Sequence, residues 1–153
     1  AVNQDEDGFI TLLNLETGEL VGDRGNKNQQ RIGSAEDDLV TGICDNPSDP
    51  NSFYLVGATD GDVGGVQDDQ MSIQPGSRQA FIKKMDLTDL RATWTVQWGA
   101  IKGTEDTRAY ALSCTVAEDG AVYVAGQVED GAGIVQGYSV QESKGGDDIW
   151  VAK

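Results

Sequence analysis

Histidine is absent from this 153-residue chain, and cysteine and methionine occur only twice each, proline three times. Without histidine there is no Ser-His-Asp or Cys-His catalytic machinery and no His-ligated zinc. Basic residues are few: 11 Lys and Arg stand against 26 Asp and Glu, a formal net charge of -15. Phosphate backbones are held by Lys and Arg, so nucleic acid is not an expected partner. Anionic membrane surfaces are disfavoured for the same reason. No apolar run reaches the roughly 18 residues of a membrane span, so no membrane insertion is expected. Large apolar side chains are scarce too. Leu, Ile, Val and Phe together make 34 of the 153 residues, just above the level that argues for disorder in a highly charged chain.

What is present points to strands. Val (14) outnumbers Leu (9), and there are 20 glycines. β-branched residues suit a pleated surface, and glycine suits the turns between strands. We therefore expect an all-β fold with a thin core.

The chain also resembles itself at an offset of about seventy residues. Asp7-Gly8-Phe9-Ile10-Thr11 returns as Gln79-Ala80-Phe81-Ile82-Lys83, then as Asp148-Ile149-Trp150-Val151-Ala152. Gly33-Ser34-Ala35-Glu36-Asp37 matches Gly103-Thr104-Glu105-Asp106. Phe53-Tyr54-Leu55-Val56-Gly57 matches Ala121-Val122-Tyr123-Val124-Ala125-Gly126, and Cys44 and Cys114 lie 70 apart. Separate anchors sharing nearly one offset are hard to obtain by chance. Repeat units run approximately 7–78 and 79–147, with a third starting at 148, within one segment spanning 1–153.

Each unit reads as four short strands. Residues 81–87 alternate and end in the Thr88-Asp89 turn. In Ala92 to Trp98, the side chains of Trp94, Val96 and Trp98 share one face by the two-residue period. A third strand covers about Ala109 to Val116. The turn Glu118-Asp119-Gly120 leads into the fourth, Ala121 to Gln127, whose first-unit counterpart is Ser52 to Ala58. Nine strands result. The competing reading is a sandwich with accidental similarity. Four-stranded units repeating in sequence, each with an aromatic anchor, favour a β-propeller-like fold: about two four-stranded blades plus a remnant, an incomplete propeller. A closed propeller has typically about 4 to 8 blades. The expected partners are therefore the rest of a longer chain, further copies that complete the ring, or another protein.

The stretches Gly103 to Asp106, Gly120 to Gly126 and Asp148 to Lys153 together resemble the bacterial-type β-propeller repeat family often called SBBP. The resemblance covers residues 7–153 almost entirely. Gln79 stands where the pattern expects Asp, and Leu12 where it expects the Lys of Lys84 and Lys153. The resemblance implies a repeat module of secreted or cell-surface proteins, usually without a known enzyme activity. It also implies that the strands carrying Cys44 and Cys114 lie near the axis where blades converge. Either an inter-blade disulfide, worth ~4 kcal/mol in lost chain entropy, or two buried free thiols fits that placement.

Among candidate sites, Asp60-Gly61-Asp62 is the strongest for a metal. Calcium favours several oxygen ligands on short flexible loops, and crowded carboxylates repel unless a cation neutralises them. Asp68-Asp69, Glu36-Asp37-Asp38, Glu105-Asp106, Glu129-Asp130 and Asp147-Asp148 are further acidic stretches. The competing reading, a solvated acidic face in an acidic protein, has the greater weight. Phe9, Phe81 and Trp150 read as core anchors between neighbouring blades, and Trp94 and Trp98 as core rather than ligand platforms. Tyr110, Tyr123 and Tyr138 are weaker candidates for a sugar site. The function expected is a structural or adhesive repeat segment at the cell surface or outside the cell, mediating assembly or protein contacts, with calcium as the candidate cofactor. A carbohydrate- or peptide-binding propeller module is the alternative, and a glycan-cleaving enzyme, which needs two opposed carboxylates, comes third.

Overall fold

A computed structural model describes residues 5–21, 29–64, 77–99, 108–129 and 146–153. The chain is all-β. The described residues form nine strands and no helix: β1 (Gly8–Thr11), β2 (Gln29–Ile32), β3 (Asp38–Asp45), β4 (Ser52–Thr59), β5 (Gln79–Asp86), β6 (Ala92–Trp98), β7 (Ala109–Val116), β8 (Val122–Val128) and β9 (Asp148–Ala152). They make three separate antiparallel sheets, β1-β2, β3-β4-β5-β6 and β7-β8-β9. Each follows chain order, and they do not close into a ring.

The turns are those the composition supplies. Asp119-Gly120 joins β7 to β8, with Gly120 at a left-handed φ of 83°, where only glycine is free of Cβ strain. The β5–β6 turn is held by Asp86, whose carboxylate accepts the Thr88 amide at 2.7 Å. This turn ends in Leu90, the one described non-glycine residue with a left-handed φ, 55°. Leu90 is almost wholly buried beside Phe53, Phe81 and Met85. Burying a leucine contributes about 1.5–3 kcal/mol, enough to offset the cost of its backbone.

The sheets repeat in register. In the second, Gly57 pairs with Phe81; in the third, Gly126 pairs with Trp150. The strand before each glycine carries a bulge at the matching place, between Val40 and Gly42 in β3 and between Ala111 and Ser113 in β7. A Cβ on Gly57 would collide with the Leu39 carbonyl oxygen and lie 2.7 Å from Phe81 Cζ. A Cβ on Gly126 would collide with the Tyr110 carbonyl oxygen and the Trp150 ring. Each glycine thus makes room for the aromatic ring across the strand pair.

The sheets stack face to face through two apolar clusters. Ile32, Phe53, Leu55, Phe81, Met85 and Leu90 of one cluster lie with Ile10, Leu12 and Val40 between the first and second sheets. Tyr54, Val56, Ala80, Ile82 and Trp98 meet Ala109, Ala111, Val124, Val128 and Trp150 between the second and third. Alternation puts Phe53, Leu55 and Phe81 on one face of the middle sheet and Tyr54, Val56 and Ile82 on the other. The middle sheet is thus covered on both faces, which explains why every residue of β4 is buried.

The links between sheets repeat as well. The amide of Asp38, at the start of β3, donates to Glu6 O at 2.6 Å, and that of Ala109, at the start of β7, donates to Arg78 O at 2.9 Å. Thr41, in the β3 bulge, donates its hydroxyl proton across to Ala111 O at the β7 bulge.

Phe81 and Trp150 are buried core residues. Phe9 corrects the expectation: it is 77% exposed and anchors no core. Phe81 has the glycine of β4 beside it, and Trp150 that of β8. Strand β1 pairs only with β2 among the described residues, so nothing of that kind receives Phe9.

Candidate functional site

Cys44 and Cys114 are joined in a disulfide with their Cα atoms 5.9 Å apart. It staples β3 of the second sheet to β7 of the third. The expectation that the two cysteines are equivalent is corrected by the register. Cys44 faces Tyr54, three residues before Gly57, whereas Cys114 faces Val124, two residues before Gly126. A shift of one residue in a strand turns a side chain to the opposite face. Equivalent positions on stacked sheets point the same way and cannot meet. The offset of one is what turns the two thiols toward each other.

The Asp60-Gly61-Asp62 loop sits at the edge of the middle sheet. Asp60 receives a two-pronged ion pair from Arg78, Nε to Oδ1 at 2.7 Å and Nη2 to Oδ2 at 2.6 Å. The same guanidinium lies 5.9 Å from the Tyr110 ring of the third sheet. Asp60 raises the Arg78 pKa, keeping the guanidinium fully charged. Asp62 accepts the Gly64 amide within its own turn at 2.7 Å. Lys83 reaches the loop from the buried face of β5, donating to Val63 O and, at 3.2 Å, to Thr95 Oγ1. Burial lowers its pKa, while Asp38 and Asp62 act in the opposite sense. Gln97 completes the grip, accepting the Val63 amide at 3.2 Å and donating to Gly61 O at 2.7 Å.

The cations that this loop needs are therefore, in part, the protein's own. Asp60 and Asp62 have different partners, and no group of three or more Cys, Asp or Glu among the described residues is gathered as a metal requires. Asp68-Asp69, Glu105-Asp106, Asp130 and Tyr138 lie outside the described residues.

A cleft of about 430 Å³ lies between β1 and the turn after β3. Its lining includes Ile10, Leu12, Phe53 and Leu90, and among the described residues Asp45 is its single ionisable side chain. Two opposed carboxylates do not meet there.

The outward faces of the first and third sheets carry exposed apolar side chains, Phe9 on the first and Ile149 and Val151 on the third. On the third sheet, Val151 pairs with Ala125 and Ile149 with Gln127. Ile149 is 87% exposed and Val151 69%. Tyr123 lies on the same face, half-buried, with Lys153 Nζ 5.5 Å from its ring. The register equates Ala125, Val151 and Ile149 with Val56, Ile82 and Ala80 of the middle sheet, all buried under the third sheet. Trp94, read from the sequence as core with Trp98, is half-exposed with Val96 at the outer edge of the middle sheet, 5.7 Å from Tyr54. Trp98 is buried, edge-on to Trp150 at 5.5 Å.

Arg78, Lys83, Gln97 and Thr41 were not legible as site residues. Only Lys83 carried a signal: it shares the two-residue alternation of Phe81 and Met85, which places it on their buried face. No protein-family model matches the chain, and no curated protein is significantly similar to it. Among the described residues no helix is long and apolar enough to cross a membrane.

Proposed function

We propose that the chain is a structural repeat segment that acts through protein contacts at its outer sheet faces, stacked in the manner of successive propeller blades. The observation that carries this reading is the exposure of Ile149 and Val151 on a face whose counterpart in the middle sheet is covered. Exposed apolar side chains grouped on one surface mark contact sites. The disulfide supports a compartment outside the cytosol, at the cell surface or beyond, because cytosolic thiols are kept reduced.

Hydroxyl-radical footprinting tests this reading. Ile149 and Val151 are expected to oxidise several-fold more slowly in the protein's native assembly than in the isolated chain. Equal oxidation in both would overturn it.

A further inference from the structure

We propose that the outward face of β7-β8-β9 receives the outward face of β1-β2 from a second copy of this chain, head to tail. This rests on the contact reading above and names its partner. Two contacts within the chain serve as the template. In each, the face carrying Phe81 or Trp150 packs on the aliphatic face of the preceding sheet: Ile10 and Ile32 in the first, Val56 and Ile82 in the second. The first sheet has an unused aromatic face, with Phe9 exposed. The third has an unused aliphatic face, with Ile149 and Val151 exposed. Phe9 is the repeat equivalent of Phe81 and Trp150, and Val151 of Ile82. The two unused faces thus carry the aromatic and the aliphatic positions of a contact the chain already makes twice, although among the described residues β1 lacks the glycine strand that lies beside Phe81 and Trp150.

Such a contact joins unlike patches. It leaves a free head and a free tail in every dimer, so assembly continues unless the rotation closes a ring. Each copy carries a net charge of -15, so repulsion between copies opposes association. Salt screens that repulsion, and association should strengthen as salt is added.

The test is analytical ultracentrifugation of the 153-residue chain with Phe9→Asp and Val151→Asp variants. Ile149→Asp serves as a second tail variant, and thermal melting confirms that each variant folds. Wild type is expected to exceed the monomer mass in a concentration-dependent way, more strongly at 1 M than at about 0.1 M salt. Each variant alone should be monomeric, since each keeps one half of the contact. A mixture of Phe9→Asp with Val151→Asp should form a dimer that neither forms alone.

A monomeric wild type at all concentrations and salts would overturn the proposal. So would self-association of Phe9→Asp alone, which would mean tail meets tail, or a mixture that stays monomeric. None of these outcomes decides whether Ile149 and Val151 are covered in the native assembly. The footprint reads that separately.

Discussion

Between the first and second sheets, Phe81 packs over Gly57 and the seam is closed by side chains. Lys83 and Gln97 hold the 60–64 loop there, and no covalent bond crosses. Between the second and third sheets, Trp150 packs over Gly126 and Trp98, and the Cys44–Cys114 disulfide crosses the seam. Both contacts use one plan: a bulged strand, a glycine in the next strand and an aromatic ring opposite it. They are secured differently. A repeat fixes the backbone geometry of an interface and leaves its filling free, because each side chain meets only its own neighbours.

The glycines should break both contacts most severely. Gly57→Val and Gly126→Val each drive a side chain into a backbone carbonyl and a buried ring. Losses above about 4 kcal/mol are expected, a large fraction of the roughly 5–15 kcal/mol that holds a domain folded. Circular dichroism melts would check this; a Gly126→Val chain that melts like the wild type would show that the two seams do not share a plan. Phe81→Ala and Trp150→Ala should each cost about 3–5 kcal/mol, read by denaturant unfolding. A similar cost at the two sites would confirm matched roles despite the different rings.

Removing the disulfide should separate the seams. Cys44→Ala with Cys114→Ala should cost about 2–4 kcal/mol. Hydrogen exchange should then quicken in β7-β8-β9 while β1-β2 stays as it was. Uniform loosening of all three sheets would contradict independent seams.

Lys83 should reveal the first seam through pH. Burial depresses its folded-state pKa below the ordinary 10.5. Between those two values the unfolded chain binds more protons, so stability rises with pH toward 10.5. Lys83→Met should flatten that rise, measured as melting temperature against pH. The smallest effect is expected at Asp49, at a turn of the middle sheet away from both seams. Hydrogen bonds from Ser52, Lys84 and Asn51 hold its pKa below 3.8. Its contribution is present above that value and lost as pH falls through the folded-state one. Asp49→Asn should therefore slightly reduce the acid sensitivity of melting and change neither seam.

Apart from β2, which no turn signal marked, the strands were legible because each is bounded by a turn signal and two units could be compared. Ser52 to Ala58 and Ala92 to Trp98 match β4 and β6 within a residue. The disulfide partners were legible as a pair, but not how they meet. The register against β4 and β8 sets β3 and β7 71 residues apart, so the spacing of 70 makes the two cysteines look equivalent when they are one residue out of step. Phe9 was misread because a motif shows a residue's role in its unit, not whether a neighbour covers it. The ion pair of Arg78 with Asp60 joins residues 18 apart through folding alone, so only the three-dimensional arrangement shows that Asp60 has a partner.

The second and third sheets are copies of one unit, each built on a glycine lying against an aromatic ring. Nuclear magnetic resonance tests it directly through the α-proton shifts of Gly57 and Gly126. Ring currents from Phe81 and Trp150 should move both glycines well upfield of ordinary strand values, and Phe81→Leu and Trp150→Leu should each return only their own glycine. Ordinary shifts at either glycine in the native chain would contradict the account.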